Sequence, residues 1–341
     1  MLMKLPSEEL LERIRTSWCE RHRPESESTD WGQSLLMYGL LASLDAEDNE
    51  KVREYVRRWI YFHLNEGVNV NYFCGSWSFG LLYPVITRQF PEVEVQLRAT
   101  AEKIYDTIIH KALRNGDGVI LHNVDLPNIY IDTVYYSCVV LARLGEYLNR
   151  PWKPEVTFQL MKHLEILRDG LKPFYIHCEE NLGGKRSEGS WARGNGWVMM
   201  TCVEVMSDLL LTSKEFAFIR DEIFVPLATA IAEQQTKSGL WRTIIDDKTS
   251  YQETSASAMF LFAFLRARNI GALPEALDGV IDKAAKGLSR FVSADGVFTG
   301  VSEGTWPGTR SYYKSLRRDE WWWGTGAYLL YLSEETDIDN Y

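Results

Sequence analysis

Apolar residues recur at i, i+3, i+4 and i+7 through most of this chain, the period of helices that each bury a face. The pattern predicts helices over 7–21, 31–44, 49–66, 77–88, 92–114, 132–148, 153–169, 194–212, 214–236, 253–268, 274–291 and 323–335. Strand-like runs are short and fall between them, as at Gly118–Leu121 and Trp241–Ile245. Twelve helices joined by alternately short and long connections predict an all-α fold, an (α/α)6 barrel of six inner and six outer helices. An inner helix should be apolar nearly all round and an outer one amphipathic. ETSASAMFLFAFLRAR over 253–268 reads as inner, and NEKVREYVRRWIYFHLNE over 49–66 as outer. No Pro/Gly/Ser linker or shift of composition marks a boundary, so residues 1–341 read as a single domain. An open helical solenoid is the alternative, but no fixed-period motif supports it. The longer loops, 115–131, 170–193, 237–252 and 293–322, hold most of the polar and aromatic mixtures, and binding residues favour such loops.

Charge and motif spacing exclude several function classes. The net charge is −10, and the short basic cluster Arg317-Arg318 runs directly into Asp319-Glu320. Nucleic acid is therefore not an expected partner. Five cysteines show no C-x-x-C spacing, and six histidines show no H-x-x-x-H or H-E-x-x-H. No disulfide framework, catalytic metal or other cofactor is expected. The first residues, MLMKLPSEELLERIRTSW, turn charged within eight positions and contain no hydrophobic region of a signal peptide. No run of about 18 apolar residues suggests a membrane span. The expectation is a cytoplasmic monomer or homodimer.

The densest chemistry lies in Ser190-Trp191-Ala192-Arg193-Gly194-Asn195-Gly196-Trp197. Indole faces stack on the apolar face of a sugar ring. A guanidinium fork pairs with a carboxylate, and glycines let backbone approach a ligand. An acidic sugar would use all three groups, and the run also carries the carboxamide of Asn195. The plainer reading is a helix start whose indoles fill the core. Asp132 stands between loop and helix among apolar neighbours. It can be a helix N-cap, or an acid whose pKa is raised by burial and which donates a proton at neutral pH. His177, after Lys172-Pro173-Phe174-Tyr175-Ile176, and His122, in Val119-Ile120-Leu121-His122-Asn123, are structural histidines or hydrogen-bond partners of a sugar. Trp241 and the run Tyr251–Ser257 form another group, in which Glu253 either caps the next helix or positions substrate or water. The run Arg317–Gly326 reads as a wall closing one end of the barrel, and since Trp321, Trp322 and Trp323 cannot all face one way, at least one of them is expected to be structural.

Together these residues resemble the unsaturated rhamnogalacturonyl hydrolases of glycoside hydrolase family 105, and their relatives the unsaturated glucuronyl hydrolases of family 88. The resemblance rests on IYIDTVYYSCVVLARLG around Asp132, FYIH ending at His177, WARGNGW at 191–197, GLW at 239–241, YQETSASAMF at 251–260 and the ending GVSEGT…YY…GTGAYLLYLSE. These occur in family order from about residue 30 onward. The resemblance implies an (α/α)6 barrel and a metal-free hydration of the C4=C5 enol ether of an unsaturated uronic acid. That sugar would be the non-reducing end of a lyase-generated oligosaccharide, with rhamnogalacturonan as the expected source. Asp132 would protonate C4 and then accept a proton from the water adding at C5; the hemiketal opens and releases the next sugar. By the same resemblance Arg193 and His177 hold the uronate, Trp191 and Trp197 stack on or wall the sugars, and His122 lies on the substrate side.

The chain departs from the family pattern at three places. Where a second aspartate is usual, it reads Asn69-Val70-Asn71-Tyr72-Phe73-Cys74-Gly75, with Asn71 the nearest stand-in. Asn123 replaces a common basic residue, and Trp31 a common tyrosine. Those departures leave three other readings: a repurposed barrel that binds an acidic sugar without turnover, a sugar epimerase or isomerase using His122 and His177, and a glycosidase pairing Asp132 with Glu253.

Overall fold

Nearly every second helix of this chain is buried on all sides, and that alternation builds a barrel. The computed structural model describes residues 7–123, 127–180, 184–208 and 211–338. In chain order, outer α1 (Ser7–Arg21) leads to inner α2 (Trp31–Ala46), and outer α3 (Glu50–Glu66) to an inner 3-10 helix, Cys74–Leu82, that continues as α4 (Tyr83–Gln89). Outer α5 (Glu94–His110) precedes an inner π-turn, Val134–Val139, that continues as α6 (Val140–Leu148). Outer α7 (Lys153–Leu167) precedes inner α8 (Ala192–Asp208). The next outer unit is α9 (Ser213–Phe218), a second π-turn at Ile219–Phe224 and α10 (Val225–Glu233). Inner α11 (Thr254–Asn269), outer α12 (Asp278–Leu288), a short α13 (Arg310–Ser315) and inner α14 (Trp322–Ile338) complete it.

Burial follows the expected division. Helix α11 is buried continuously from Thr254 to Leu265. Outer α3 buries Val52, Tyr55, Val56, Trp59 and Ile60, one stripe at the helical period, while its charged residues face solvent. It starts where the Asn49 side chain accepts the Val52 N–H and ends at Gly67, whose φ of 91° suits glycine. The inner ring packs in the order α2, Cys74–Leu82, the π-turn before α6, α8, α11, α14, and α14 returns to α2. The predicted (α/α)6 architecture is therefore the observed one.

Three antiparallel strand pairs staple the loops near the N-terminal ends of inner helices: β1 (Ile129–Tyr130) with β2 (Cys178–Glu179), β3 (Trp241–Arg242) with β4 (Gln252–Glu253), and β5 (Val301–Ser302) with β6 (Arg318–Asp319). Several expected boundaries shift. The helix expected over 92–114 stops at His110, because Asn115 folds its side chain onto the N–H groups of Asp117 and Val119 in a tight turn. Gly118–Leu121 forms no strand, only a bridge from Ile120 to Arg114. Helix α13 lies inside a segment expected to be loop, started by Thr309 accepting the Tyr312 N–H. Among the described residues no helix is long and apolar enough to cross a membrane.

Candidate active site

Strand pairing brings Asp132 and His177 together from 45 positions apart in sequence. Tyr130 pairs with Cys178, and the Ile131 N–H donates to the His177 carbonyl at 2.9 Å. The next residue, Asp132, stands before the π-turn, with its carbonyl accepting from Tyr135 and Tyr136. Short π segments inside helices often accompany functional sites. Asp132 stands at the position just before the helical turn, but its side chain does not cap it: Oδ2 makes no hydrogen bond and lies 3.4 Å from His177 Nε2. The side chain keeps 15% of its exposure, enough to be reached.

That exposure opens onto a cavity of about 550 Å³. Its walls carry Trp31 from the start of α2, Asn71, Tyr72 and Phe73 before the 3-10 helix, and His122 and Asn123 after α5. Tyr130, Asp132, Tyr136 and His177 form another side, and Gly304, Thr305 and Trp306 a third. Asp132 is the one carboxylate among the described residues that line it.

Basic groups surround this carboxylate. Burial alone pushes the Asp132 carboxyl up. Contact with His177, the neighbouring imidazole of His122 and the Arg193 guanidinium outweigh it and hold the group below its usual value. The raised pKa expected from apolar sequence neighbours is therefore reversed, because the groups facing Asp132 in space are cationic or polar. His177 is buried, stacked on Trp191 with ring centroids 4.0 Å apart, and has the Tyr313 hydroxyl 3.2 Å from Nδ1. His122 stacks on Tyr130 at 4.2 Å, and both Cys74 Sγ and Thr133 Oγ1 lie 3.0 Å from its Nδ1. Burial drives His122 down to about 4, so it is neutral at neutral pH. The Asn71 side-chain oxygen accepts the Phe73 N–H at 2.7 Å, which turns its amide nitrogen into the group available to a ligand.

Six sequence-nominated residues stand behind the wall rather than on it. Arg193 is buried, and its fork is committed to the chain: one nitrogen donates to Ser302 Oγ at 2.8 Å and to the Ser302 carbonyl, the other to Thr305 Oγ1 at 2.7 Å and the Glu303 carbonyl. It holds the 302–305 loop that forms one cavity wall. Trp191 lies beneath His177 and under the Arg193 guanidinium, 4.7 Å away. Trp197 is buried among Trp31, Tyr135 and Tyr136. Asn195 clamps the N–H and carbonyl of Tyr175, both at 2.9 Å, and so orients the segment that ends in His177. Trp241 is a core residue that donates to the Ile231 carbonyl and packs on Phe260 and Phe264. Glu253 caps α11, accepting the N–H groups of Ser255 and Ala256 and that of Ser302. The direct sugar contacts expected of the indoles, of Asn195 and of Glu253, and the carboxylate fork expected of Arg193, are corrected accordingly: packing uses these groups first.

Sequence reasoning missed Tyr72, Phe73, Tyr130, Tyr136, Thr305 and Trp306. Tyr130 and Tyr136 flank Asp132 at a spacing shared with core residues, so only the alternation of aromatic and polar residues around Asp132 hinted at a wall.

The sequence profile of Glycosyl Hydrolase Family 88 matches residues 7–337. The unsaturated rhamnogalacturonyl hydrolase YesR of Bacillus subtilis is 25% identical to this chain over 318 residues, covering 89% of each. Among solved structures, a possible member of the GH105 family from Klebsiella pneumoniae superposes with a TM-score of 0.89 at 21% identity, over 98% of this chain and 93% of that one. A possible GH105 member from Salmonella enterica gives 0.88 at 20% identity, over 100% and 96%. A profile match spanning almost the whole chain, on a barrel that superposes end to end, means that the chain belongs to glycosyl hydrolase family 88.

Proposed function

We propose that this glycoside hydrolase removes a 4,5-unsaturated uronic acid from the non-reducing end of lyase-generated oligosaccharides, rhamnogalacturonan-derived ones first, with Asp132 as its general acid and base. The observation that carries the reading is the single carboxylate on the described cavity wall. Displacement at an acetal carbon needs two carboxyl groups on opposite sides of the bond, about 5–10 Å apart. Hydration of an enol ether needs one. The Asp132 proton moves to C4 while the ring oxygen stabilises the cation forming at C5. Water adds at C5 and its proton returns to Asp132, so the acid is regenerated. The resulting hemiketal opens and the leaving sugar departs.

The depressed pKa of Asp132 fits this reading once substrate is bound. A uronate carboxylate entering beside Asp132 brings a like charge and excludes water, and both raise the pKa of a carboxyl group. Protonation is thereby favoured in the complex that uses it. His177 faces the carboxyl at 3.4 Å, and the neutral ring of His122 and the amide of Asn71 offer hydrogen bonds to the sugar. Arg193 contributes its charge from behind the wall. A cytoplasmic setting accords with the five unpaired cysteines.

The test follows ultraviolet absorbance of the C4=C5 bond during incubation with pectin-, glycosaminoglycan- and ulvan-derived disaccharides. Asp132→Asn should reduce turnover by at least about 100-fold while leaving the circular dichroism spectrum intact. Full activity of that variant would refute the assignment. A binding-only barrel is the second reading, favoured by the absence of any carboxylate on the Asn71–Gly75 wall. Saturable binding of the same disaccharides with no absorbance loss would select it.

A further inference from the structure

Which nitrogen of the His177 ring carries its proton decides what Asp132 faces. The ring is buried and held on two sides: Trp191 stacks on it at 4.0 Å, and Tyr130 meets it at a steep angle, 5.4 Å away. Nε2 lies 3.4 Å from Asp132 Oδ2, and Nδ1 lies 3.2 Å from the Tyr313 hydroxyl. A neutral imidazole has one N–H and one bare nitrogen, and the hydrogen bond made at one nitrogen selects the state of the other.

Tyr313 reaches this ring from 136 positions away in sequence. It is fully buried, and burial pushes its phenol well above the usual range, so the hydroxyl keeps its proton. Its oxygen accepts the Gly308 N–H at 3.1 Å. Ser187 Oγ accepts the Cys178 N–H at 3.0 Å and acts on the Tyr313 oxygen as a donor. The proton of Tyr313 is then left for His177 Nδ1, which as a bare nitrogen is an acceptor.

Asp132 calls for the same tautomer. Its carboxyl is held below its usual value, so at neutral pH it is a carboxylate, which only accepts. An N–H on Nε2 suits it, whereas a bare Nε2 would set two acceptors 3.4 Å apart. Contacts of this kind often tighten only when substrate binds. Oδ2 is buried while the side chain keeps 15% of its exposure, so that exposure lies on its other atoms. With the Nε2–H directed at Oδ2, the acid proton falls to Oδ1.

We propose that Tyr313 is a positioning residue: its hydroxyl donates to His177 Nδ1, fixes the tautomer with the proton on Nε2, and leaves Oδ1 of Asp132 as the oxygen that gives its proton to the sugar. The inference rests on the reading of Asp132 as general acid. Tyr313 stands behind the cavity wall and acts on the reaction through His177.

The test measures kcat and KM on one unsaturated disaccharide, by loss of the C4=C5 absorbance, for the unmodified protein, Tyr313→Phe and Tyr312→Phe. Long-range nitrogen–proton NMR spectra of the histidine rings accompany it, with His177 assigned from His177→Gln. Tyr313→Phe keeps the ring and removes the hydroxyl. It should lower kcat by about tenfold, the worth of one such hydrogen bond, with KM unchanged. His177 should show a protonated Nε2 and a bare Nδ1 in the unmodified protein, and a mixture of tautomers in Tyr313→Phe. Tyr312→Phe controls for the loop, since the Tyr312 hydroxyl accepts the Trp306 N–H at 3.1 Å as that of Tyr313 accepts Gly308. There kcat and the His177 spectrum should hold. A protonated Nδ1 in the unmodified protein, kcat retained in Tyr313→Phe, or an equal fall of kcat in Tyr312→Phe would overturn the proposal. Absence of turnover in the unmodified protein would remove the Asp132 reading and the role of Oδ1 with it, while the spectra would still decide whether Tyr313 sets the tautomer.

Discussion

His122 lines the cavity beside Asp132. Its Nδ1 is flanked by the Cys74 thiol and the Thr133 hydroxyl, and its ring lies against Tyr130 with an edge contact from Phe73. Burial holds its pKa near 4, against about 6.5 in the unfolded chain. Between those values the unfolded chain binds the proton and the folded one refuses it. Stability therefore falls as pH drops from about 6.5 towards 4, by up to about 3 kcal/mol for this group. His122→Gln should flatten the fall in Tm across that window. A slope equal to that of the unmodified protein would mean that His122 titrates normally. Asp132 and His177 could each be nominated from sequence, one flanked by apolar residues and the other at the end of an aromatic stretch, but their proximity could not, because 45 positions separate them. The roles of Trp191, Trp197 and Arg193 were not legible either, since an indole that stacks on a sugar and one that supports a histidine from beneath have the same local sequence. Tertiary burial alone separates them.

At the level of elements, Glu253 shows a helix start acting as a structural joint. Its two oxygens accept the Ser255 and Ala256 N–H groups of α11, the Ser255 hydroxyl, and the Ser302 N–H of β5. One carboxylate thus caps an inner helix and ties to it the loop that Arg193 holds at the cavity. Removing it forfeits a cap, worth about 0.5–2 kcal/mol, and leaves the buried Ser302 N–H without its acceptor, about 1–3 kcal/mol more. Glu253→Ala should lower stability by about 3 kcal/mol, seen as a lower urea midpoint with an unchanged m value. Glu253→Gln, which keeps one acceptor oxygen, should lose less. An unaltered midpoint in Glu253→Ala would show that the cap is dispensable. The capping role was visible in sequence as an acidic residue ahead of an apolar run. Its second partner was not, because Ser302 is 49 positions away. Helix existence was readable from periodicity throughout, whereas the π-turns at Val134–Val139 and Ile219–Phe224 keep a helical pattern of side chains and leave no separate mark.

For the whole molecule, the decisive contact is the one that closes the ring, where α14 meets α2. Periodicity made both helices readable as apolar, but the glycines that let them touch carry no period. A Cβ on Gly39 would lie 2.6 Å from the Gly326 carbonyl oxygen, and one on Gly326 would lie 2.4 Å from that of Leu35. Each obstruction is backbone, which cannot swing aside as a side chain can. Replacing glycine by alanine inside a helix ordinarily stabilises it by up to about 1 kcal/mol. At this seam the helices would have to separate, and overpacking of that kind costs about 1–3 kcal/mol. Gly326→Ala should therefore be destabilising despite its better helix propensity. Gly279→Ala on outer α12, where nothing lies within 4 Å of the added carbon, should be neutral or stabilising. We propose that residues 7–338 unfold as one unit, since no inner helix can leave the ring without opening it. Calorimetry should then give a single transition that moves down as a whole in Gly326→Ala. A second transition appearing in that variant would show that the two halves of the barrel fold separately and that the seam merely joins them.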